Sequence, residues 1–145
     1  MNTDPQAIHI SRLISSYQDY TRTPFPKPSD PAAIHQAPYI LVSHGTQPDP
    51  IFNYGNLAAL KLFEMTWEEF TALASRHSAE PVGQAERDRL LEEVSAKGYI
   101  ADYSGIRISK SGRRFKIENA TVWNIIDTDG KPLGQAAMFD RWQYL

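Results

Sequence analysis

The sequence predicts an α+β domain: a five-stranded antiparallel sheet with helices packed on one face, preceded by an N-terminal amphipathic helix. Three observations carry that prediction. Residues 51–70 (IFNYGNLAALKLFEMTWEEF) run as a short strand that turns through Gly55-Asn56 into two small helices. From Tyr99 the pattern changes to long strands joined by the turns Ser109-Lys110-Ser111-Gly112 and Asp127-Thr128-Asp129-Gly130. Strand pairs at both ends, with helices between them, close into an antiparallel sheet that the helices cover.

Composition narrows the function classes. A chain of 145 residues reads as one domain, long enough to remove roughly two-thirds of its unfolded surface from water. It is 41% hydrophobic and 22% charged, with net charge −2, so no electrostatic case for nucleic acid exists. Lys110, Arg113, Arg114 and Lys116 cluster on one hairpin and read as a solvated tip. No cysteine is present, which excludes disulfides, thiolate metal sites and any cysteinyl–flavin adduct. Neither a signal peptide nor an apolar run long enough to span a membrane is seen, and a cytoplasmic location is expected.

Taken in order, Asp4 caps a helix with Pro5 at its first position. Ile10, Leu13, Ile14 and Tyr17 then form one apolar stripe over residues 5–20. Residues 21–38 hold five prolines, which predicts a stiff extended linker without helix. The stripe therefore belongs to an appendage, 1–38, ahead of a folded domain, 39–145. Residues 39–43 (YILVS) and 51–54 form the first two strands. Asn56 caps helix 57–64, and Thr66 with Glu69 makes a capping box for helix 67–74. Residues 75–83 read as irregular. Helix 84–97 carries Leu90, Leu91 and Val94 on one face and stops at Gly98. Strands 99–108, 113–126 and 133–142 complete the sheet. Alternation weakens at Asn119-Ala120, where a bulge or burial of both faces is expected.

This order resembles the PAS fold. Asn56, Ala58-Ala59, Leu62-Phe63, Thr66 and Glu68-Glu69 look like the N-x-A-A-x-x-L-F…S/T-x-E-E signature of PAS domains, and Gly112–Phe115, Asp127–Gly130 and Asp140 sit where PAS domains carry their later landmarks. A closer resemblance is to the MEKHLA domain, a PAS-like family. It rests on Ala120, Val122-Trp123, Ile126-Asp127, Ala137-Met138-Phe139 and Trp142. That family occurs alone in bacteria, including a cyanobacterial type, and at the C-termini of plant class III homeodomain–leucine zipper transcription factors. This chain resembles the stand-alone type.

The resemblance implies a sensory or interaction domain. Its ligand would lie between the inner sheet face and the helices, lined by Phe52, Asn56, Leu60, Phe63, Leu91, Ile106, Phe115 and Met138. For Asn56 a plain helix cap is already a sufficient explanation, and the rest are equally well explained as closed core. A haem needs an axial His; helix 84–97 has none, which leaves His77 in an irregular stretch, and haem is not expected. His9, His35, His44 and His77 show no metal-ligand spacing. A catalytic reading, a small cone-fold isomerase or dehydratase, would need Asp102 or Glu118 as a general base in an open pocket; no enzyme activity is expected. The alternative to a sensor is a ligand-free dimerisation module. Trp123 and Ile125 on the outer sheet face, with Ile10, Leu13, Ile14 and Tyr17, would form a contact surface, in cis or in a homodimer. Expected partners are a second copy, a signalling protein and a small molecule, with no nucleic acid, membrane or metal.

Overall fold

The computed structural model describes residues 4–145. Asp4 accepts from the Gln6 N–H and starts α1 (Pro5–Thr21), which ends at Arg22 in a left-handed conformation. The proline-rich stretch is not purely extended. It contains α2 (Pro31–His35), with Asp30 capping the Ala33 N–H and Pro31 in the first turn. The prolines do not forbid this helix because the first turn has no use for the missing donor.

Two short strands follow, β1 (Ile40–His44) and β2 (Phe52–Gly55). Asn56 caps α3 (Leu57–Phe63), and the Thr66–Glu69 capping box starts α4 (Trp67–Phe70). This second helix is one turn, shorter than 67–74, because the chain turns back to pair with the edge near β2. Phe52 N–H donates to the Leu73 carbonyl at 3.0 Å and Ser75 N–H to the Pro50 carbonyl at 2.8 Å. A single 3-10 turn, Ser75–Ser78, leads into α5 (Pro81–Lys97), which begins three residues earlier than expected.

The long strands are β3 (Tyr99–Ile108), β4 (Arg114–Ile126), β5 (Pro132–Phe139) and β6 (Arg141–Tyr144). The sheet is antiparallel in the order β2-β1-β5-β4-β3, with β6 also beside β4. The strand expected over 133–142 breaks at Asp140. Its first half pairs with residues 121–126 of β4, its second with residues 115–118. Five lanes therefore carry six strands.

The register shift on β4 explains the weak alternation. Phe115 and Ile117 face inward, as do Ala120 and Val122, so one extra residue intervenes. Asn119, at φ 54°, supplies it, and Asp102, at φ 59°, makes the matching irregularity on β3. Both are Asn/Asp, the residues that tolerate a left-handed backbone.

Helices cover both faces of the sheet. α3, α4 and α5 lie on the inner face, with Phe52, Phe63, Phe70 and Phe115 in one cluster. α1 lies on the outer face in cis. Ile10, Leu13 and Tyr17 join Leu41, Tyr54, Trp123, Ile125 and Met138 in a second cluster, to which Phe25, Ile34 and Tyr39 of the linker also belong. The expectation that α1 is an appendage is thereby corrected. An outer face bearing Trp123 and Ile125 must be dried, and α1 is the nearest amphipathic segment. Polar contacts fix its position. Trp123 Nε1 donates to the Leu13 carbonyl at 3.0 Å, and Ser16 Oγ accepts from Ile126 N–H at 2.9 Å.

Candidate functional site

The inner face of the sheet, α5 and the Ser75–Ser78 turn enclose a cavity of about 70 Å³. That is room for a group of a few heavy atoms, a water in the liquid occupying about 30 Å³. Most of its wall is apolar, from Val42, Phe52, Phe63, Leu90, Ile117 and Phe139. Its polar members include His44, Ser75, Ser78, Arg87, Tyr103, Arg107 and Gln135.

Secondary structure aims these polar groups inward. On α5, Arg87 precedes Leu90, Leu91 and Val94 by three, four and seven positions, so it shares their face. On β3, Tyr103, Gly105 and Arg107 share one face, and Ile106 takes the other. Arg107 is 8% exposed and Ile106 45% exposed. His44 ends β1, its Nδ1 donating to the Gly45 carbonyl at 3.0 Å.

The charges are incompletely balanced. Arg87, 5% exposed, donates to Asp88 Oδ1 at 3.0 Å and to the Ser75 hydroxyl. Asp88 itself faces solvent. Arg107 donates to the Ile106 carbonyl at 2.9 Å and to the Tyr103 hydroxyl at 3.2 Å. Among the described residues no carboxylate forms an ion pair with Arg107. The Tyr103 hydroxyl donates in turn to Glu86 at 3.1 Å. Burial lowers the Arg87 pKa, opposed by Asp88 and reinforced by the nearby charge of Arg107. Burial likewise lowers His44, with Arg87 adding to the effect. Burial raises Tyr103. His44 Nε2 is buried and has no hydrogen-bond partner.

The residues expected to line a pocket divide. Phe52, Phe63 and Leu91 line the cavity. Asn56 does not: its amide is wholly engaged by backbone groups of residues 34–59. Leu60 faces a shallow surface depression with Leu57, His35 and Trp67. Ile106 points to solvent because Arg107 holds the inward position. Phe115 is buried against Phe63, with ring centroids 5.4 Å apart, in core beside the cavity. Met138 lies on the opposite sheet face, under α1. Of the expected contact surface, Ile10, Leu13, Tyr17, Trp123 and Ile125 are buried against one another within the chain, with Ile14 packed beside them.

Arg87, Arg107 and His44 were not expected at the site. Arg87 was legible as the continuation of the Leu90/Leu91/Val94 stripe. Arg107 was not, since alternation around Ile106 and Ile108 favours placing the isoleucines inside.

No three His, Cys, Asp or Glu side chains gather as a metal site among the described residues. Asp102 is exposed on its bulge, and Glu118 does not line the cavity. His77 is exposed. No helix among the described residues is long and apolar enough to cross a membrane.

Solved structures share the fold. A PAS domain from Colwellia psychrerythraea superposes with a TM-score of 0.65 at 14% identity, covering 79% of this chain and 92% of its own. A light-oxygen-voltage domain studied with a flavin analogue gives 0.63 at 14% identity, covering 89% and 87%. Two guanidinium groups, of Arg87 and Arg107, border the cavity here. Plant proteins are related in sequence. Homeobox-leucine zipper protein ATHB-14 of Arabidopsis thaliana is 24% identical over 153 aligned residues, covering 99% of this chain and 18% of the plant protein. ATHB-9 of the same plant is 26% identical over 93 residues, covering 64% and 11%. The chain thus spans less than a fifth of the length of these relatives. The MEKHLA domain model matches residues 7–144, essentially the whole described structure with α1 included, and the chain belongs to the MEKHLA family.

Proposed function

We propose that this MEKHLA domain is a sensor in which a small molecule occupies the cavity between the sheet and α5, and occupancy is relayed to a partner protein. One observation carries the reading: Gln135, which lines the cavity from β5, also holds α5. Gln135 Nε2 lies within hydrogen-bond distance of the Leu91 carbonyl (3.2 Å), Ser95 Oγ (3.1 Å) and Asn124 Oδ1 (3.0 Å). Asn124 Nδ2 in turn donates to the Val94 carbonyl at 3.0 Å. A ligand touching Gln135 therefore bears on the seating of α5 without crossing further side chains. The reading is one of binding; Asp102 and Glu118, the two bases a catalytic reading would need, do not line the cavity. A reducing, cytoplasmic setting suits a chain without cysteine.

The second reading, a ligand-free homodimerisation module, draws on Ile106, Tyr144 and Leu145, large apolar residues left exposed among the described residues. Native mass spectrometry of protein purified without denaturation separates the two. A retained small mass supports the sensor. A clean apo mass with a dimer peak overturns it in favour of the module.

A further inference from the structure

Resting on the sensor reading, we infer that the cavity ligand is a small aliphatic monocarboxylate, its carboxylate held by Arg107 and Arg87 and its hydrocarbon part by the surrounding apolar wall. Two arginines less than a tenth exposed line one cavity. Among the described residues one carboxylate, Asp88, forms an ion pair with either of them, and its side chain is mostly exposed. Arg107 has a carbonyl and a phenol as partners, both neutral. A buried cation without a counter-ion is expensive to maintain. One further negative charge in the cavity balances the site. A planar carboxylate matches the guanidinium fork.

The rest of the lining sets the remainder of the ligand. Phe52, Phe63, Leu90 and Val42 make much of the remaining wall, which favours an anion carrying a hydrocarbon part over a phosphate hydrated on every side. At about 70 Å³ the space suits a short chain. His44 Nε2, buried without a partner, is placed to meet a polar atom on such a ligand, either as the neutral acceptor or, once an anion is beside it, as a protonated donor.

The test is a thermal-shift and calorimetric titration of the full chain with two- to five-carbon monocarboxylates, their primary amides, and inorganic phosphate. Arg107→Met and Arg87→Met are run beside the wild type. Carboxylates are expected to raise the melting temperature and the amides and phosphate to leave it unchanged. Both variants are expected to lose at least tenfold in carboxylate affinity. Arg107→Met, freed of an unpaired buried charge, is expected to melt no lower than the apo wild type, so its lost binding is not lost folding. Equal binding of an amide or of phosphate overturns the carboxylate assignment and leaves the sensor reading standing. Undiminished carboxylate binding by Arg107→Met overturns the assignment in the same way. No binding of any of these compounds overturns the carboxylate assignment, while the sensor reading stands or falls with the mass retained in native mass spectrometry.

Discussion

At the scale of single residues, Asn56 shows how one amide can hold a loop, a strand and a helix together. Its Oδ1 accepts from Ala59 N–H and Leu41 N–H, each at 3.2 Å. Its Nδ2 donates to the carbonyls of Tyr39 at 2.8 Å and Ile34 at 3.2 Å. The side chain is fully buried, so water cannot replace it. Asn56→Ala should destabilise the fold by about 3 kcal/mol, a helix cap plus buried orphaned groups, read from urea unfolding. Asn56→Asp keeps the acceptor but sets a carboxylate oxygen against two carbonyls, and should be no better; a variant within about 1 kcal/mol of wild type would contradict this role. The histidines predict a pH dependence. Burial holds His9 and His44 below their ordinary 6.5, with Arg12 and Arg87 respectively adding to it. As pH falls, the unfolded chain takes up these protons first. The stability they confer is complete above 6.5 and is lost as pH falls through their folded values. The urea midpoint should drop as pH falls below 6.5, and less steeply in His9→Gln. A flat midpoint would count against both burials.

Among elements, α1 carries the most consequence. The stripe Ile10/Leu13/Tyr17 was readable from spacing, but its destination was not. It lies on β4, with Tyr17 edge-on to Trp123 at 5.0 Å between centroids and to Phe25 at 5.1 Å. Leu13→Ala should cost about 2–5 kcal/mol, as for other fully buried leucines. Deleting residues 1–21 strips the cover from Trp123, Ile125 and Leu41 and should yield aggregated or unfolded protein on size-exclusion chromatography. A deletion variant that stays monodisperse with a native near-UV spectrum would show that α1 is dispensable. Elsewhere on the sheet, Gly134 at φ 144° brings β5 so near β1 that a Cβ would lie 2.0 Å from the His44 carbonyl oxygen. That glycine sets the strand spacing beside His44, at the mouth of the candidate site.

For the whole molecule, the sheet is a shared wall between the apolar cluster under α1 and, on the inner face, two more, one under α3 and α4 and one under α5. Strand β4 contributes to both faces, Trp123 to one side and Ile117 and Val122 to the other. Loosening either side removes support from the same backbone. Unfolding should therefore be one cooperative transition. Tryptophan fluorescence, dominated by buried Trp123, and far-UV circular dichroism should give coincident urea curves. An early loss of helical signal ahead of the fluorescence change would mean that α1 melts separately. The inner side is where close packing is relaxed. Cavity, buried arginines and the orphaned His44 nitrogen coincide there. Functional sites are where local rules of burial are commonly broken.

Local rules in the sequence determined most of the elements. Caps at Asp4, Asn56 and Thr66, turns at Gly112 and Gly130, and the stop at Gly98 each depend on a few adjacent residues whose backbone needs are chemical and short-range. The family signature lies in the same stretches. Tertiary structure decided what periodicity leaves open: which face each strand turns inward, and what covers it. The bulges at Asp102 and Asn119 shift side-chain parity, so Arg107 enters the cavity while Ile106 faces water. Met138 and Asn56, plausible as lining from their neighbours, serve the opposite face and the backbone. The covering of the outer sheet by α1 was likewise decided by distant contact, because an apolar stripe states that it must be buried and leaves its partner to the topology.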